Sequence, residues 1–194
     1  MKKLSMFALV PLALALVLAL PLTAARAAGV VYQGELTPGT AQAGAAGGFA
    51  WFLDQGSGVQ FWPFQVPAAG TAVSFQIDRL NANFDPAVSI YRGLTSADTS
   101  AFNSAGDWGG LSFVGSLDDE GPPFLAPGPN GDPRGSFLLT TPGWYTAAVG
   151  GGLSTDASTY PYRITMTQAV PEPAAAALLA SGLMLLLTLA RRRG

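Results

Sequence analysis

The sequence predicts an all-β domain, a two-sheet sandwich, held between two apolar terminal segments. Three observations predict it: period-two alternation in short apolar runs, turn residues between nearly every pair of runs, and apolar stretches at both ends of the 194-residue chain. Strands pleat with a period of two, so Val73, Phe75 and Ile77 fall on one face and Ser74, Gln76 and Asp78 on the other. Tyr162, Ile164 and Met166 alternate in the same way with Arg163, Thr165 and Thr167.

Taken in order, the expected strands are 30–36, 49–54, 59–66, 73–77, 86–91, 111–117, 135–140, 144–149 and 162–166. Pro38-Gly39, Gly56-Ser57-Gly58, Ala69-Gly70, Pro142-Gly143 and Gly150-Gly151-Gly152 separate them, because glycine reaches positive φ and proline fixes its own. Residues 95–106 lack alternation and read as a loop or one short helix inserted between strands. Phe61 and Trp62 are consecutive in a strand and point to opposite faces, which predicts that one of them is exposed.

Within residues 28–169 four arginines stand against eleven carboxylates, with no lysine. A domain without a basic patch has no footprint for a phosphate backbone, so nucleic acid is not an expected partner. The chain has no histidine and no cysteine, which removes imidazole bases, thiolate nucleophiles, disulfides and nearly all zinc chemistry. Ser112 lacks the second glycine of a nucleophile elbow and has no histidine to activate it, so a hydrolase triad is excluded and no catalytic residue is expected. The domain reads as non-enzymatic.

At the start, Lys2 and Lys3 precede an apolar run from about Leu4 to Leu22, followed by Ala25-Arg26-Ala27. A basic region, an apolar region and an A-x-A triplet make a signal peptide, with signal peptidase expected to cut after Ala27. At the other end, Val170-Pro171-Glu172-Pro173 precedes an apolar stretch at 174–190 and then Arg191, Arg192 and Arg193. As a helix, this stretch at ~1.5 Å per residue spans roughly 26 Å, enough to cross a bilayer with the arginines reaching to its cytoplasmic surface. The expected division is signal peptide 1–27, sandwich 28–169 and tail 170–194.

The order of motif, membrane helix and arginines resembles the PEP-CTERM sorting signal of Gram-negative bacteria. That resemblance implies an exosortase partner that processes the tail near the motif, transient anchoring by the helix, and a final place at the cell surface or in an exopolysaccharide-rich biofilm matrix. A plain carboxy-terminal anchor is the alternative. Between the ends, 61–77, Phe84-Asp85-Pro86 with Val88 to Tyr91, Leu117-Asp118-Asp119, Pro142-Gly143-Trp144-Tyr145 and 162–166 resemble the bacterial pre-peptidase carboxy-terminal domain. That resemblance implies a jelly-roll-like sandwich that binds or spaces, and it supplies no catalytic residue. The insertion at 95–110 and the proline-rich stretch at 122–133 depart from its pattern.

Two ligand readings follow from the residues. Asp118, Asp119 and Glu120 are adjacent, and Asp132 lies beyond a Gly/Pro loop able to fold back, so Asp118, Asp119 and Asp132 are the expected ligands of a hard cation such as Ca2+. The same run lacks EF-hand spacing, and a solvated acidic turn is the plainer reading. Asp85 before Pro86 is expected to pin a turn through backbone N–H groups, while Asn83 suits either a turn or a cation. Trp108, in the glycine-rich insertion, is the tryptophan expected to be accessible for stacking on carbohydrate. A calcium-assisted carbohydrate-binding module is accordingly the alternative to a passive matrix component.

Overall fold

The computed structural model describes residues 28–122 and 131–169. Ala25, Ala27, Val170 to Pro173, the 174–190 stretch, Arg191 to Arg193 and most of the proline-rich loop lie outside the described residues. Among the described residues no helix is long and apolar enough to cross a membrane.

The described residues form eight strands: β1 (Ala41–Gly47), β2 (Gln60–Val66), β3 (Thr71–Arg79), β4 (Pro86–Arg92), β5 (Ser112–Leu117), β6 (Arg134–Leu139), β7 (Gly143–Gly151) and β8 (Thr159–Ala169). They pair antiparallel into two four-stranded sheets, in the orders β1-β8-β3-β6 and β2-β7-β4-β5. This is the strand order of a jelly roll. Seven of these strands coincide in position with expected ones, and β3 and β8 keep the predicted inward faces of Val73, Phe75, Ile77, Tyr162, Ile164 and Met166.

The main core lies between the sheets. Phe64 stacks on Tyr145 at a centroid distance of 5.5 Å and meets Phe75 edge-on at 5.3 Å, while Phe84 lies against Tyr160 and Tyr162. Such offset and edge contacts add to the burial of large apolar surfaces.

A second core covers the outer face of the β2-β7-β4-β5 sheet. Phe61, Tyr91 and Ala148 point outward there and are sealed by Phe102 and Trp108 of the insertion and by Leu111 just after it, with Val30, Tyr32 and Trp51 at the edges. The sheet's outward hydroxyls hold this cover. Trp51 Nε1 donates to Ser89 Oγ at 2.7 Å, Ser89 Oγ donates to the Ser104 carbonyl, and Thr146 Oγ1 donates to the Gly93 carbonyl at 2.8 Å. The Tyr32 hydroxyl accepts from the Thr95 N–H at 2.8 Å. Both Phe61 and Trp62 are therefore buried, Trp62 facing the main core, and neither is the exposed aromatic that their alternation predicts.

Three further departures have local causes. Residues 30–36, expected as a strand, follow β2 through one isolated bridge, Tyr32 to Phe61, and two backbone hydrogen bonds; Val30 and Tyr32 join the cover, while Leu36 joins the main core. Residues 49–54, also expected as a strand, form a turn in which the Leu53 N–H reaches the Phe49 carbonyl at 2.9 Å and Asp54 takes a φ of 53°. Aromatic and aliphatic residues there made a strand-like run, yet Ala50 and Trp51 close over a sheet instead of joining one, and Phe52 and Leu53 stay exposed. Conversely, Ala41–Gly47 pairs along β8 without a β-branched or aromatic residue. Its smallness is required: a Cβ on Gly44 would lie 2.3 Å from Gln60 Oε1 and 2.5 Å from the Tyr162 ring.

The insertion contains a short 3₁₀ turn, Thr99–Ala101, whose start is capped by Asp98 accepting from the Ser100 N–H. These two bonds from Ser100, backbone and hydroxyl, hold the Asp98 carboxyl below its usual range.

Candidate functional site

The candidate site lies at the end of the sandwich where β3, β5 and β7 finish and β4, β6 and β8 begin. Arg79 closes β3 there with its side chain buried, and burying a guanidinium demands carboxylate partners. Asp132 supplies them: Arg79 Nε donates to Asp132 Oδ1 at 2.5 Å, and the Arg79 N–H reaches Oδ2 at 3.3 Å. The guanidinium also donates to the Gly131 carbonyl and lies 3.9 Å from Asp85 Oδ1.

The chain on either side of the proline-rich stretch meets, since Gly121 and Asp132 exchange backbone hydrogen bonds of 2.9 and 2.7 Å. It delivers the Asp132 carboxylate to Arg79, however, so the expected trio of Asp118, Asp119 and Asp132 is not what the fold assembles. The group that meets is Asp85, Asp118 and Asp119, each offering an oxygen within 4.8 Å of the others.

Each of the three is positioned differently. Asp85 is buried ahead of β4 and accepts from the Leu153 N–H at 2.8 Å through Oδ2, so its turn-pinning role is met by a residue 68 positions away. The exposed Asp119 accepts from the Gly131 N–H at 2.9 Å. Asp118 is half-buried, and its backbone N–H donates to Glu120 Oε2 at 2.9 Å. Its Oδ1 is buried with no hydrogen-bond partner among the described residues and sits 3.3 Å from where a Cβ on Gly152 would be.

A carboxylate so placed is costly to ionise. Burial first, then the charges of Asp119, Asp85 and Glu120, push the Asp118 carboxyl up to about 7, against a smaller opposing pull from Arg79. Oxygen-only donors, negative charge and one unfilled buried acceptor are the chemistry of a hard-cation site. The sequence pattern missed Asp85 as a member, although Phe84-Asp85-Pro86 stood out as an element.

Trp108 is 5% exposed, packed edge-on against Phe102 and Tyr91, and is not accessible for stacking. Its glycine-rich surroundings, read as a surface loop, fold down onto the sheet. Trp144, at 39%, is the most exposed of the four tryptophans.

Fold and site together define a jelly-roll sandwich with an acidic loop cluster at one end. No protein-family model matches the chain, and no curated protein matches it. Among solved structures it is similar to CorA, a surface-associated copper-binding protein of Methylomicrobium album BG8, at 12% identity and a TM-score of 0.56, over 72% of this chain and 100% of that one. At that identity the likeness shows the fold alone. Weaker superpositions, at TM-scores of 0.47 and 0.41 and 11% identity, join it to the secreted copper-binding protein MopE of Methylococcus capsulatus and to the pre-peptidase C-terminal domain of a Bacillus anthracis collagenase. They cover 73% and 71% of this chain and 92% and 97% of those chains.

Proposed function

We propose that this chain is an exported, non-enzymatic sandwich protein of the cell surface or extracellular matrix, cut by signal peptidase and then sorted through its tail by an exosortase. One observation carries the reading: Val170-Pro171-Glu172-Pro173, an apolar stretch and Arg191-Arg192-Arg193 follow the last strand in that order. The membrane holds the chain by the 174–190 helix until processing, and exopolysaccharide is the surrounding it then meets. The test is mass spectrometry of the full-length tagged protein from an exosortase-bearing host. A mature carboxy terminus at residues 171–173 supports sorting, whereas an intact Gly194 in the membrane fraction makes the tail a plain anchor.

A second reading, a cation-assisted binding module, is favoured by the unpartnered Asp118 Oδ1 beside Asp85 and Asp119. CorA and MopE bind copper, but imidazole and thiolate, the donors that usually hold it, do not occur in this sequence. Carboxylate oxygens suit calcium, which would supply charge neutralisation and would link the loops before β4 and after β5. Calcorimetric titration with CaCl2 decides this reading: a saturable signal abolished by Asp85→Asn supports it, and a flat titration removes it.

A further inference from the structure

A second concavity lies on the other side of the same end, between the 28–33 segment, the end of β1 and the start of β2, and shares no residue with the carboxylate group. It is a cleft of about 310 Å³, at the small end of the range for small-molecule sites. Among the described residues no charged side chain lines it. Val31 gives it exposed apolar surface, while Gln33, Ser57, Gln60 and Thr159 give it amide and hydroxyl groups.

Gln60 is held there by a hydrogen-bond relay that begins in the main core. Trp62 Nε1–H donates to the Tyr162 hydroxyl at 2.7 Å, and that hydroxyl donates to Gln60 Oε1 at 2.9 Å. The Ala45 N–H donates to the same oxygen at 2.9 Å. Both lone pairs of the amide oxygen are taken, so the amide cannot flip, and its two Nε2–H donors stay uncommitted among the described residues. Gly44 exists for this arrangement, because any side chain there would displace Gln60 and Tyr162. A relay anchored on a buried tryptophan and ending on two free donors at a cleft is a preorganised polar site.

We propose that this cleft binds a neutral saccharide unit, whose C–H face lies against Val31 and whose hydroxyls meet Gln60 and the polar rim. The inference rests on the matrix reading only for the supply of polysaccharide; the carboxy-terminal mass measurement tests that reading separately.

The experiment titrates the full-length chain in detergent, with EDTA present, using D-glucose, D-galactose, N-acetylglucosamine and D-glucuronate, followed by saturation-transfer NMR. Saturable binding of at least one neutral sugar is expected. Ser57 is exposed, so Ser57→Phe should fill the cleft and weaken that binding at least tenfold with an unchanged melting temperature, while Ser57→Ala keeps it. Three results would each overturn the proposal: no saturable neutral sugar, binding indifferent to Ser57→Phe, or glucuronate bound more tightly than glucose.

Discussion

Replacing Asp118 with asparagine should stabilise the cation-free protein at pH 8. The carboxyl is displaced from its ordinary 3.8 to about 7 by burial and by Asp119, Asp85 and Glu120. At about 1.4 kcal/mol per unit, that displacement sets a ceiling of about 4 kcal/mol on the strain of holding the charged form. The group is partly exposed, and solvent screening reduces this to about 2 kcal/mol. The sign follows from proton linkage: between pH 4 and 7 the folded state keeps a proton that the unfolded chain has lost, so wild-type stability falls as pH rises through that window. Asparagine has no charge to strain, so the variant should match wild type near pH 4 and exceed it by about 2 kcal/mol at pH 8, several degrees in melting temperature. Thermal unfolding in EDTA across pH 4 to 8.5 reads this directly. A variant less stable at pH 8, or a gap that ignores pH, would refute the assignment of strain to Asp118.

Other outcomes test the rest of the structure. In CaCl2 at about a hundredfold over the dissociation constant, wild type should gain about 2.7 kcal/mol and Asp118→Asn much less; equal gains would place the cation elsewhere. Arg79→Ala strands the buried Asp132 carboxylate and should cost about 3–5 kcal/mol in urea unfolding, whereas a loss below 1 kcal/mol would contradict the buried pair. Trp108→Ala opens the second core and should cost about 3–5 kcal/mol with little effect on retention by polysaccharide, the pattern of a packing residue. Gly44→Val, which drives a side chain into Gln60 and Tyr162, should lower the melting temperature and abolish saccharide binding together.

How much of this was legible follows from what each strand packs against. The β3 and β8 alternation was plain because one face of their sheet meets the core and the other meets solvent. In β4 and β7 both faces are covered, so Ser89 and Thr146 became ties to the cover, and nothing in the local pattern says a cover exists. Ala41–Gly47 escaped because its sequence records the bulk of its neighbours, Tyr162 and Gln60, more than any preference of its own. At the site, the acidic turn at 118–120 was visible as adjacent letters. The exchange of Asp132 for Asp85 was not, since it depends on which carboxylate a buried arginine claims, and Arg79 lies 53 residues from Asp132.

The last strand has a consequence for how the molecule is displayed. β8 begins at Thr159, beside the end of β1 and the cleft, and runs unbroken to Ala169, where the tail departs. At ~3.3 Å per residue it separates those two points by roughly 30 Å. A tail held just beyond Ala169, as the proposed sorting requires, would therefore leave the carboxylates and the cleft at the opposite end of the sandwich from the point of attachment.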